Sequence, residues 1–221
     1  MMFFVLSAFV FGLFVPYMAR RFAKFMPATF AGALVELLRV GKKNKRYRNT
    51  PEFKKLMWRS FMFGIGCALL VFCAQKHFGL YGFGFVVAYL WILVLLAEID
   101  FRMFLLPDIL TVPLLLSGLL AASFDMGFVA INESVLGAFA GYFLPVAVSL
   151  LIVWRKKDAF GGGDIKLLAA IGAWLGVEGL LYVIMVSSVL GILFAIVMRK
   201  KVMAFGPMLA IAGIGVAFWL Y

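Results

Sequence analysis

Two short stretches of this chain hold the acids that hydrolytic chemistry would need. The first, EIDFRMFLLPD over residues 98–108, brings Glu98, Asp100 and Asp108 to the end of one apolar run and the start of the next. The second, FGGGDIKLLAAIGAWLG over residues 160–176, sets Gly161, Gly162 and Gly163 directly before Asp164, with Asp158 just upstream. Two carboxylates can hydrolyse an amide without a metal, the ionised one taking a proton from water while the protonated one polarises the carbonyl. Like charges a few ångströms apart do not both ionise easily, so such a pair shares a proton.

Each position also has a structural explanation. Pro107 and Asp108 suit the first turn of a helix, where a carboxylate satisfies orphan N–H groups and the positive dipole end, so Asp108 is a cap candidate ahead of a catalytic one. Asp164 after its glycines fits a helix N-cap equally well. Alternatively, Gly161, Gly162 and Gly163, bearing no side chains, support an extended substrate strand laid beside Asp164. Other hydrolytic templates find no footing. His77 is the only histidine, there is no CxxC pair, and Cys67 and Cys73 sit in one apolar run as packing residues. No metal site is expected.

The elements that must position these acids are membrane helices. Of 221 residues, 66% are hydrophobic and 14% charged, far from the balance of a soluble domain. Apolar runs of the length that spans a bilayer recur without barrel-type alternation, so the expected fold is all-α, a polytopic transmembrane helix bundle. The spans expected are 2–18, 59–77, 80–98, 107–124, 134–154, 165–177, 179–198 and 202–220. These eight form a single membrane domain over 1–221, the sixth being short for a crossing.

The net charge of +11 follows that topology. With residues 19–58 inside, every Lys and Arg except Lys76 falls on the inner face, a positive-inside pattern that puts both termini on the outer, periplasmic side. Orientation and anionic lipid contact explain the charge, and no nucleic-acid partner is expected. Residues 19–58 read as a basic cytosolic loop with an amphipathic interfacial segment, its face formed by Phe22, Phe25, Phe30, Leu34, Leu37 and Leu38 and broken at Pro27. Residues 1–18 read as a retained span rather than a cleaved signal. Among the ten acids, Asp125, Glu133 and Glu178 fall outside and Glu36 and Glu52 lie in the basic loop. Glu98, Asp100, Asp108, Asp158 and Asp164 remain on the inner face, and sidedness alone does not choose among them.

Three blocks resemble bacterial type IV prepilin peptidases, membrane aspartyl proteases carrying a GxGD motif. IDFRMFLLPDILTVPLLLSGLL over 99–120 is similar to the family's first aspartate block, FGGGDIKLLAAIGAWLG to its second, and FGPMLAIAG over 205–213 to its C-terminal signature. The resemblance implies Asp100 and Asp164 as the catalytic pair, with Asp108 at the LPD position outside it. It implies an inner-membrane enzyme that cuts the basic leader of prepilins or pseudopilins after a glycine, at the cytosolic boundary, with no cofactor for proteolysis. A narrow cleft at the glycine run would favour that small residue. Many members also methylate the new N-terminus with S-adenosylmethionine and carry a cysteine-rich zinc region between their first spans. The loop 19–58 departs from this, since it has no cysteine. S-adenosylmethionine is then a cofactor only if the methyltransferase activity is present. The competing class is a catalytically silent membrane assembly protein or transporter, whose inner-face carboxylates cap helices or bind cations.

Overall fold

The computed structural model describes residues 2–25, 51–78, 82–153, 161–198 and 204–221. Among them the secondary structure is helical throughout: α1 Met2–Phe25, α2 Pro51–Phe78, α3 Phe83–Met103, α4 Asp108–Ser123, α5 Ile131–Val153, α6 Gly162–Met198 and α7 Gly206–Leu220. Apolar runs of this length close their backbone hydrogen bonds within the segment, as lipid requires. Five of the helices are long and apolar enough to cross a membrane, and α4 and α7 are shorter apolar helices. Large side chains such as Leu69, Phe139, Ile192 and Ile196 are exposed on their outer faces, where lipid is the natural solvent. The protein is a multi-pass membrane protein.

The chain divides into two compact units, Met1–His77 and Phe78–Tyr221. In the first, a side chain at Gly12 would collide with the backbone of Phe63 and Gly64, so glycines bring α1 and α2 together. Helix continues through residues 19–25 and 51–58, further than the expected spans at both ends. The amphipathic segment expected beyond Phe25, including Pro27, Phe30, Leu34, Leu37 and Leu38, lies outside the described residues.

In the second unit α6 is the central element, packed against α4, α5 and α7. The α5 contact is a seam of small residues: side chains at Gly137 and Gly141 would strike the backbone of Gly172 and Leu168 on α6. Trp174 is 1% exposed and donates its indole N–H to the Leu114 carbonyl of α4 at 2.8 Å. The Tyr89 ring of α3 lies 4.9 Å from it, and the Tyr89 hydroxyl donates to Gly213 O of α7 at 3.0 Å.

The expected sixth and seventh spans are continuous in α6 but for a break at Gly176, at φ 65 and ψ −172. Glycine tolerates that conformation and a side chain does not. The break frees carbonyls, which hydroxyls take up: Ser134 donates to Ala173 O, and Tyr221 to Leu175 O at 2.9 Å. Past the break the Tyr182 ring of α6 meets the Trp219 ring of α7 at 5.0 Å.

Candidate active site

Asp100 stands in the last turns of α3 and is 4% exposed. The helix ends soon after it because Phe104 turns into the left-handed region at φ 55, donating its N–H back to Asp100 O at 2.8 Å. That stop sends residues 104–107 across to α4. Glu98, two residues earlier on α3 and also 4% exposed, is held by Arg102, whose guanidinium reaches it at 2.7 Å. This pairing gives the Glu98 carboxylate a cation one turn along its own helix.

Asp164 enters from the N-terminus of α6. Its N–H donates to Gly161 O at 3.0 Å, so Gly161 opens the helix while Gly162 and Gly163 form its first turn rather than a free loop. Nothing would meet a side chain at Gly162, whereas one at Gly163 would sit 2.9 Å from Leu106 Cβ. The glycine run therefore leaves one side open and presses the other against the α3–α4 connection. Leu106 belongs to the segment that leaves α3 after Asp100, so this packing brings the start of α6 to the end of α3.

Asp108 begins α4 as an acid in the first turn. No side-chain cap is formed there, and its two oxygens instead accept Lys166 Nζ of α6 at 2.7 Å each. A cap needs only the helix's own amides, whereas here the cation two residues past Asp164 competes and wins. Asp158 lies outside the described residues.

A further group reaches Asp100 that residue types did not single out. The backbone N–H of Gly206, at the start of α7, donates to Asp100 Oδ2 at 2.8 Å. A side chain at Gly206 would lie 2.7 Å from the same oxygen, so only glycine admits the carboxylate. The available signal was a glycine and proline opening an apolar helix in FGPMLAIAG. Both α4 and α7 pack against α3 and against α6, so they join the two helices that carry the aspartates. The two carboxylates thus stand on separate helices whose ends are joined by α4, α7 and the Gly163–Leu106 contact.

Residues 87–196, which include both aspartates, match the type IV leader peptidase family. The chain is similar to proteins named prepilin leader peptidase/N-methyltransferase. That of Aeromonas salmonicida strain A449 is 43% identical over 152 residues, which is 62% of this chain and 50% of that protein. That of Xanthomonas campestris pv. campestris is 36% identical over 209 residues, 81% of this chain and 70% of the relative. The Neisseria gonorrhoeae protein is 45% identical over 127 residues, 55% of this chain and 43% of its own length. The chain therefore spans about half the length of several of these relatives. No solved structure matches it.

Proposed function

The chain belongs to the type IV leader peptidase family, and from that premise we propose that it is an inner-membrane aspartyl endopeptidase with Asp100 and Asp164 as its catalytic pair. Its substrates are type IV prepilins or pseudopilins, cut after a glycine where the basic leader meets the hydrophobic helix at the cytosolic boundary. The observation that carries this reading is convergence: Gly163, next to Asp164, packs against Leu106 of the segment that follows Asp100, so α3 and α6 bring the two acids to one end of the bundle. Water attack followed by proton transfer to the departing amine needs an ionised and a protonated carboxyl, and no cofactor. The open side of the glycine run at Gly162, and the close approach of Gly161 to the Asp164 carboxylate, support an extended substrate strand beside Asp164.

The topology belongs to the same proposal. At about 1.5 Å per residue, the 37 residues of α6 would reach about 55 Å, well beyond a hydrocarbon core of ~30 Å. The break at Gly176 favours two crossings, which brings the count to eight with both termini periplasmic and the basic segments inside. Anionic lipid is the partner of those segments. The relatives' names include an N-methyltransferase. For this chain S-adenosylmethionine is a cofactor only if the cleaved product leaves methylated, which mass spectrometry of the mature N-terminus decides.

The test of the dyad is cleavage of a prepilin-type substrate in membranes carrying Asp100→Asn or Asp164→Asn. Each variant is expected to lose at least roughly 100-fold, the lower end of what a positioned acid or base contributes. Cleavage retained in either variant would sink the assignment in favour of a silent assembly protein or transporter.

A further inference from the structure

The amide of Gly206 treats the two aspartates unequally. In the first turn of α7, Met208 and Leu209 already donate their N–H groups to Phe205 O at 3.0 and 3.1 Å, and Pro207 has none to give. The Gly206 N–H is left over, and it points into the bundle at Asp100 Oδ2, 106 residues away along the chain. It also lies at the positive end of the α7 dipole, where an anion is favoured. A donor to a carboxylate stabilises the ionised form, and more strongly than a bond between neutral groups. Asp164 also stands in a first turn, that of α6, but among the described residues no hydrogen-bond donor reaches its carboxylate, so the direct N–H distinguishes Asp100.

Among the described residues the other charges around Asp100 do not offset this difference. On its own helix Glu98 is paired with Arg102. From α6 come Asp164 and Lys166, the latter held by Asp108 of α4. The helix α7 carries no charged side chain, so its electrostatic contribution at this end is the backbone.

We infer that Gly206 is a positioning residue whose amide keeps Asp100 as the ionised base and leaves the shared proton on Asp164. The inference rests on the protease function proposed above and assigns the two roles within it. Asp100 takes a proton from water as its oxygen bonds to the scissile carbonyl carbon, and Asp164 gives its proton to the carbonyl oxygen. In the collapse of that diol the carbon–nitrogen bond breaks, Asp100 passes its proton to the leaving amine, and Asp164 recovers one from a diol hydroxyl. Both residues return to their starting states.

Infrared spectra of the full chain in detergent, with aspartate labelled at the side-chain carboxyl carbon, read the assignment directly. Each single Asp→Asn variant is compared with the double variant over a pH titration, so that only one aspartate remains in the difference. The Asp100 carboxyl in Asp164→Asn is expected to lose its proton at lower pH than the Asp164 carboxyl in Asp100→Asn, because only Asp100 accepts the Gly206 N–H. An identical or reversed order overturns the inference. Adding Gly206→Ala to Asp164→Asn should raise the pH at which the Asp100 carboxyl loses its proton. In the otherwise unchanged chain Gly206→Ala should lower kcat about 10-fold or more, as loss of one hydrogen bond to a charged group does, with KM changed far less. An unchanged kcat and an unchanged band overturn it as well. If Gly206→Ala does not fold, the single-variant spectra still decide. Symmetric spectra with cleavage lost in both Asp→Asn variants would remove this inference alone, whereas retained cleavage would remove the protease function itself.

Discussion

Lys166 Nζ lies 2.7 Å from each carboxylate oxygen of Asp108, so the start of α6 is tied to the start of α4 beside the two aspartates. The pair is solvated, with side chains 45% and 60% exposed. Exposed ion pairs contribute only about 0.2–1 kcal/mol. Asp108→Asn and Lys166→Met should therefore each lower stability by about 1 kcal/mol or less and leave measurable cleavage. Thermal unfolding in detergent together with a membrane cleavage assay checks both, and complete loss of cleavage in Asp108→Asn would place it in the reacting centre.

The seam between α5 and α6 has no room for a methyl group. Gly137→Ala directs its new carbon at Gly172 O. Overpacking of this kind costs typically about 1–3 kcal/mol. The expected result is a lower unfolding temperature, with Ala at Gly66, where nothing lies within 4 Å, serving as the comparison. Equal unfolding temperatures would show that the seam relaxes freely.

Trp174 combines full burial with a hydrogen bond to Leu114 O. Trp174→Ala removes the ring from between α4 and α3, at a cost of about 3–5 kcal/mol. Trp174→Phe keeps most of the packing but leaves the Leu114 carbonyl without the indole donor, a smaller loss of about 1–3 kcal/mol. Chemical denaturation of the two variants side by side should show that ranking.

At Gly176 the constraint is backbone conformation, since the nearest atom to an added side chain is an ordinary 3.5 Å away. Gly176→Ala is expected to destabilise by about 1–3 kcal/mol through strain alone. A Gly176→Ala protein as stable as the parent would mean that the turn relaxes into regular helix, which disulfide trapping of cysteines introduced at Tyr182 and Trp219 would detect.

The helices were legible because bilayer length and backbone satisfaction leave few alternatives for runs as apolar as these. Their ends were less so. Residues 19–25 read as the start of an interfacial segment and 51–58 as basic linker, yet they continue α1 and α2, since lysine and arginine are good helix formers. The break near residue 178 was visible as a boundary between two spans, and the structure places the bend at Gly176 inside one element. At the candidate site Asp100, Asp108, Asp164 and the glycine run were all conspicuous as residue types. The apposition of Asp108 to Lys166 was not, because 58 residues separate them and an acid in a first turn suggests a cap. Gly206 was the least legible, since its contribution is a backbone amide and no residue type announces one.

Asp100 and its amide partner are also separated in time. As the chain is made and inserted, α3 and α6 enter the membrane before α7, so both acids are in place while Asp100 still lacks the Gly206 N–H. The arrangement of the candidate site is thus a property of the assembled bundle and of no single segment. A nascent protein in which only the helices up to α6 have emerged carries both aspartates in an unfinished setting.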